Sequence, residues 1–366
     1  ETETTLIRAI ITAAEQNGLE PALMAPTGRA AKRLAISSGR DADTIHKALE
    51  ASVREPGRTY FERNEANPLE EDLIIVDEAS MLDISLFYHL LCALKDGARL
   101  ILVGDIDQLP PVGAGEPLKD LMSWGYVPIV RLKRIFRQEE GSGIVENAAL
   151  IRKGEMCVPD EAGEFRIVYA ADDEDAYRIV MDLCRELNYG NEENKMLLQV
   201  LSPMYRGVCG VDHLNESLQE MIHGEKVPDG MKFFPGDKVM QTRNDYEKGI
   251  YNGDVGTVWT ATPQKVFVRY FDKEVVYEGE ERFDLRLAYA VTVHKSQGSE
   301  YETVIFILRP SQHNMLQRNL LYTGVTRARK NTILVTAPDA LRRALAIQHT
   351  GNRYSLFLPF LNHEAL

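Results

Sequence analysis

LIIVDEAS, residues 73–80, is a run of four apolar residues ending in two adjacent carboxylates. A strand that is apolar on both faces is buried on both faces, which points to a parallel sheet covered by helices. The carboxyl end of such a strand lies on the edge where open α/β proteins bind ligands, and Asp77 and Glu78 stand there. In a phosphoanhydride hydrolase the first of two such acids holds Mg²⁺, usually through water, and the second polarises the attacking water. A pair of solvated capping acids would read the same way, so the neighbouring text has to decide.

Outward from this stretch, PALMAP (21–26), RLILVGD (99–105), MLLQVLSP (196–203), LAYAVTV (287–293), TVIFIL (303–308) and TILVTA (332–337) repeat the apolar run, with helical stretches between them. That alternation predicts an α/β protein with parallel sheets. At 366 residues the chain exceeds one ordinary core. The rhythm breaks in RKGEMCVPDEAGEF (152–165), which suggests two α/β domains, residues 1–150 and 151–366. Two segments depart from the pattern. ASVREPGRTYFER (51–63) reads as a hairpin about a Pro-Gly turn, part of a small insertion over about 50–70. Residues 235–284 turn to short alternating strands bounded by Gly and Asn-Gly, the text of a small inserted β-barrel.

A 44% hydrophobic and 27% charged composition is that of a soluble globular protein. No apolar run approaches the roughly 20 residues that span a bilayer, and no secretory leader is evident, so no membrane partner is expected. Cys92, Cys157, Cys184 and Cys209 are too widely spaced for a zinc knuckle or a CxxC pair, and predict core positions in a reducing cytoplasm. The net charge of −13 speaks against a nucleic-acid partner only in bulk, because a groove can be locally basic on an acidic protein.

LVGDIDQLPPVGAG (102–115) supplies the company that LIIVDEAS needs. A second strand ends in Asp105, and Gln108 follows where an amide could sense a γ-phosphate or orient water. Pro110 and Pro111 stiffen the loop, and Gly113 and Gly115 would let its backbone approach a ligand. A plain turn could look like this, but two strand-plus-acid loops in series are less easily accidental.

With these motifs in place, the chain resembles the motor core of the RecD-like superfamily 1 DNA helicases, a group that includes exodeoxyribonuclease V alpha subunits and the helicase parts of conjugative relaxases. APTGRAAKRL (25–34) resembles motif Ia, VDEAS motif II, GDIDQLPPVGAG motif III, IFRQ (135–138) motif IV, AVTVHKSQGSE (290–300) motif V and YTGVTRAR (322–329) motif VI. The resemblance implies two RecA-like (P-loop NTPase) parallel-sheet domains, with the hairpin as the 1B insertion and the barrel as an SH3-like 2B insertion. It also implies ATP and Mg²⁺ as cofactors, single-stranded DNA as partner and 5′-to-3′ movement. Proteins of repair, recombination or conjugation would be possible further partners.

The residues carry that chemistry on their own terms. Asp77 would coordinate Mg²⁺, Glu78 would activate water, and Gln108 would sense the γ-phosphate beside Asp105. Arg137 and Arg327 offer always-charged forked donors to a transferred phosphoryl group. Because they lie in different halves of the sequence, ATP held between two domains would close them. An interdomain salt bridge is the plainer use of each arginine. Thr292, His294, Lys295, Ser296 and Gln297 form a dense set of donors for phosphates, and Gly298 would allow close approach to nucleotide. Glu300 resembles the family's ribose contact. Thr27, Gly28 and Arg29 begin a helix whose amino end suits a phosphate, with Lys32 and Arg33 on its first turns; an ordinary basic helix would read the same. Thr44 and His46 in DADTIHKAL (41–49) match a further DNA-contacting stretch of the family. None of these groups reads base edges, so binding should be indifferent to sequence.

ETETTLIRAI (1–10) begins a helix that Gly18 should end. In the family this helix follows a GxxxxGK[ST] phosphate loop. Alignment to such a loop puts Thr4 at the magnesium-binding hydroxyl and Glu3 where the lysine belongs, a charge that would repel phosphate. The expectation is a truncated motor whose 366 residues do not hydrolyse ATP by themselves. A chain text lacking a loop that the protein has is a second explanation, and a non-catalytic DNA-binding or scaffold subunit is the alternative function.

Overall fold

A computed structural model describes residues 2–55, 58–132, 141–245, 247–271, 273–348 and 357–362, with backbone alone at 2–4, 53–55 and 58. The chain divides into two compact units, Glu1–Arg137 with Gly351–Leu366, and Gln138–Thr350.

The first unit runs α1 (Thr2–Gln16), β1 (Pro21–Ala25), α2 (Gly28–Ser38), β2 (Ala42–Thr44), α3 (Ile45–Ala48), β3 (Ala51–Glu55), β4 (Arg58–Phe61), β5 (Leu73–Val76), α4 (Ile84–Cys92), β6 (Arg99–Leu102) and α5 (Pro117–Trp124). Its sheet is parallel, in the order β2-β1-β5-β6. The four residues of LIIV are all buried. Leu73 and Ile75 pack with Ile7 and Ile11 of α1 and Leu34 of α2, while Ile74 and Val76 pack on the other face with Phe87 and Leu90 of α4. One apolar run therefore feeds two cores, as a doubly covered sheet requires. Gly18 follows the end of α1 in the left-handed conformation, with φ 71°. β3 and β4 form the expected antiparallel hairpin, seated through Phe61, whose ring centroid lies 4.4 Å from that of His89 on α4. A short helix, Phe357–Leu361, packs on α5.

The second unit contains α6 (Gly143–Lys153), β7 (Phe165–Tyr169), α7 (Asp173–Glu186), α8 (Glu192–Leu197), β8 (Leu198–Ser202) and α9 (Val211–His223). The insertion follows, as β9 (Lys238–Gln241), β10 (Val255–Ala261), β11 (Lys265–Arg269), β12 (Glu274–Glu278) and β13 (Leu285–Leu287). The unit closes with β14 (Ala290–Thr292), β15 (Tyr301–Leu308), α10 (Arg318–Val325), β16 (Ala328–Thr336) and α11 (Pro338–Ala346). Its main sheet is again parallel, β14-β8-β15-β16-β7. The insertion is antiparallel, β12-β11-β10-β9-β13, around its own core of Val239, Val258, Val268, Tyr277 and Leu285. Lys238, fully buried on β9, donates to Leu198 O and Gln199 Oε1 at 3.0 Å each, which ties the insertion to β8.

The division falls at 137/138 where the sequence suggests 150/151, because α6 packs against α10, β16 and β7 of the second unit. The run LAYAVTV also serves two sheets. Leu287 ends the last strand of the insertion, whereas Ala290–Thr292 join the parallel sheet. Cys157, Cys184 and Cys209 are buried free thiols, and burial pushes each up to about 12. No helix among the described residues is long and apolar enough to cross a membrane.

Candidate functional site

The sheet order of the first unit lines up its candidate residues. Reading across β2-β1-β5-β6, the carboxyl ends carry Thr44, then Thr27–Arg29, then Asp77–Glu78, then Asp105 and Gln108. Parallel pairing alone sets this row, since all four strands end on one edge.

Asp77 and Glu78 are buried, at 6% and 7% exposure. Arg33 of α2 reaches them both, with Nη2 2.8 Å from Glu78 Oε1 and 3.5 Å from Asp77 Oδ2. Asp77 Oδ1 accepts the Glu78 N–H at 2.9 Å. Burial, and then the Glu78 charge, raise the Asp77 carboxyl above its ordinary range, with Arg33 pulling the other way. Glu78 sits at φ 52°, a left-handed backbone that costs a non-glycine residue about 1–3 kcal/mol and persists where its surroundings fix it. Sequence reading placed Arg33 on the helix but gave it no partner.

Arg33 offsets the charge of this carboxylate pair, and the Ser80 hydroxyl two residues on is buried without a hydrogen-bond partner. Ser80 lines a small cleft with Gln108, Pro110, Glu116 and Lys119. Among the described residues no group of three or more His, Cys, Asp or Glu could hold a metal. Mg²⁺, which commonly takes one or two carboxylates and completes its shell with phosphate oxygens and water, fits Asp77 on those terms and leaves Glu78 for a second role. Asp105 Oδ1 accepts the Asp107 N–H at 3.0 Å and shapes the turn that carries Gln108. The glycines of this loop also serve the fold. A Cβ on Gly113 would run into the carboxyl group of Asp83, whose Oδ1 caps α4, and Gly115 holds φ 80°.

On the nucleic-acid side, Thr27 caps α2, its hydroxyl accepting the Ala30 N–H at 3.3 Å, and Gly28 is buried in the first turn beside half-buried Arg29. Thr44 is buried and caps α3 through the Lys47 N–H at 3.1 Å. His46 packs by Phe61, ring centroids 6.0 Å apart; burial lowers its pKa although Asp83 opposes this, so at neutral pH it offers a neutral donor.

In the second unit the motif V loop leaves the carboxyl end of β14 and crosses to the amino end of β15. The structure thereby separates residues that the sequence lists together. Thr292 is buried and its hydroxyl accepts the Lys295 N–H at 3.2 Å; Gln297 is buried too, leaving His294 and Lys295 half-exposed near this end. Lys295 Nζ donates to Asn252 of the insertion at 2.7 Å, and burial followed by the Arg286 charge lowers its pKa. Past Gly298, which holds φ 71°, Glu300 accepts from Arg329 Nε at 2.8 Å. Arg327 is 2% exposed and donates to Thr323 O at 3.2 Å and Ser299 O at 3.1 Å. Motif VI thus meets the end of motif V through Arg327 and Arg329. Arg329 was missed because its partner lies 29 residues away in sequence. Arg137 and the side chain of Thr4 lie outside the described residues.

Three family profiles match the chain: the AAA domain over residues 3–166, the ATP-dependent RecD-like DNA helicase SH3 domain over 214–270, and the UvrD-like helicase C-terminal domain over 287–335. The ATP-dependent RecD2 DNA helicase of Deinococcus radiodurans is 38% identical over 358 residues, which cover 97% of this chain and 48% of that protein. The RecBCD enzyme subunit RecD of Mycolicibacterium smegmatis is 32% identical over 395 residues, covering 96% of this chain and 70% of that one. The chain therefore spans about half the length of the first relative and more of the second. Among solved structures, Pif1 helicase from Bacteroides in complex with ADP-AlF3 and ssDNA aligns with a TM-score of 0.58 at 20% identity, over 98% of this chain and 90% of that one. Pif1 helicase from Candida albicans gives 0.55 at 19%, over 95% and 91%. These two likenesses bear on fold, and agree with a pair of RecA-like domains. From its relatives, its matched domains and the order of its motifs, the chain belongs to the RecD-like superfamily 1 DNA helicase family.

Proposed function

We propose that this chain is the motor portion of an ATP-dependent helicase that moves along single-stranded DNA, in the 5′-to-3′ direction that the family resemblance implies. The observation that carries the reading is the row of strand ends in the first unit, where phosphate-suited groups at β1 and β2 adjoin the buried carboxylates at β5. ATP with Mg²⁺ supplies the phosphoanhydride and the Lewis acid. Asp77 would hold the metal, Glu78 would take the proton of the attacking water, and Gln108 would orient that water from the loop that Asp105 shapes. Arg327 and Arg137 offset negative charge on the transferred group, and Gly298 and Glu300 contact the nucleotide. Thr27, Arg29, His294 and Lys295 hold DNA phosphates, with Gly28, Thr44, His46, Thr292 and Gln297 completing the set. Proteins of recombination, repair or conjugation are the partners this reading allows.

Phosphate contacts give a direct test. Lys295→Ala weakens binding to fluorescein-labelled oligo-dT and to a mixed-sequence strand alike, and lowers the slope of log affinity against log salt by roughly 0.7. Unchanged affinity and slope would remove Lys295 from the DNA contact.

A further inference from the structure

α2 carries two arginines one turn apart. Arg29 and Arg33 stand at i and i+4 and so share one stripe of the helix. Arg29 belongs to the first turn of α2, where the positive end of the helix dipole suits a phosphate. Arg33 is spent elsewhere, on Glu78 at 2.8 Å and Asp77 at 3.5 Å. Its side chain is 30% exposed, while that of Glu78 is 8% exposed, so the guanidinium spans from solvent to a buried carboxylate. Glu78 in turn is held at φ 52°, and its contact with Arg33 joins residues 45 apart in sequence.

We propose that Arg33 is a positioning residue linking the phosphate-binding end of α2 to Glu78: DNA bound at Thr27–Arg29 draws Arg33 toward the DNA backbone and releases Glu78 to accept the proton of water. This rests on the function proposed above and gives that site its regulation, since without DNA the carboxylate stays engaged by the guanidinium. One guanidinium cannot serve a carboxylate and a phosphate at full strength. By linkage, whatever DNA does to the Arg33–Glu78 pair, the pair does to DNA affinity, so the coupling is measurable without ATP.

The experiment is a double-mutant cycle on the dissociation constant for fluorescein-labelled oligo-dT, using the wild type, Glu78→Gln, Arg33→Ala and the double variant. Glu78→Gln, which frees Arg33, tightens binding by about 3-fold or more, the scale of directly contacting pairs. Arg33→Ala weakens binding, and in that background Glu78→Gln changes nothing. A merely structural Arg33 would lower stability and affinity without erasing the effect of Glu78→Gln. Equal shifts in both backgrounds, or none in either, overturn the inference while leaving DNA binding intact; failure of the wild type to bind overturns the functional reading as well. Arg33→Lys, which keeps the charge and loses the fork, supplies the cycle if Arg33→Ala does not fold. In the intact protein, Arg33→Ala should also raise hydrolysis without DNA and bring the DNA-stimulation ratio toward one. An unchanged ratio contradicts the link.

Discussion

Glu78→Gln in the intact protein lowers ATP turnover by about 10²–10⁴-fold, the range for removing a positioned general base. The substitution keeps the shape and replaces a proton acceptor with an amide. Glu78 stands at the end of a fully buried strand, so its position is set by β5 and by the Arg33 contact rather than by solvent. The backbone at φ 52° accepts glutamine no worse than glutamate, so the melting temperature should move little. Single-stranded DNA binding is retained, and strengthened if Arg33 is released. Steady-state phosphate release with a parallel thermal melt checks this. Normal turnover in a folded variant would take Glu78 out of the reaction.

Arg327 should be still less replaceable. An arginine that neutralises charge on a transferred phosphoryl group contributes about 10³–10⁵ in rate, and loss of that range is expected for Arg327→Ala. The side chain is also structural here, donating to Thr323 O and Ser299 O from a site only 2% exposed. Alanine would strand buried carbonyls at about 1–3 kcal/mol each. Arg327→Lys separates the two roles, because it keeps a cation but cannot reproduce the planar fork. The expected result is a folded protein, by melting temperature, with turnover still far below wild type. Full turnover by the lysine variant would assign Arg327 to packing alone.

Much of the architecture was legible because burial on both faces leaves a plain mark. LIIV, TVIFIL and TILVTA each became the middle of a parallel sheet. Edge strands left a weaker one: β7, FRIVY, buries only Phe165 fully, and β2 has three residues, so neither carries a long continuous apolar run. The hairpin and the antiparallel insertion could be read from the Pro-Gly and Asn-Gly pairs in their sequence. The acids at the strand ends were also readable, because a strand ending in Asp-Glu fixes where those side chains stand. Pairs formed across the fold were not. Arg33 with Glu78 and Arg329 with Glu300 join residues 45 and 29 apart, and neither spacing has a local periodicity to betray it. Gly113 illustrates the same limit: besides leaving room for a ligand, its lack of a side chain makes room for the Asp83 carboxyl that caps α4, a contact its sequence neighbours do not show.

The first measurement to make is binding of the 366-residue chain to single-stranded oligonucleotides of oligo-dT, oligo-dA and mixed sequence across a salt series. The strands should bind within a few-fold of one another, with log affinity falling along log salt by roughly 0.7 per phosphate contacted. Absence of binding at low salt, or an affinity that follows base sequence and ignores salt, would contradict a phosphate-gripping motor.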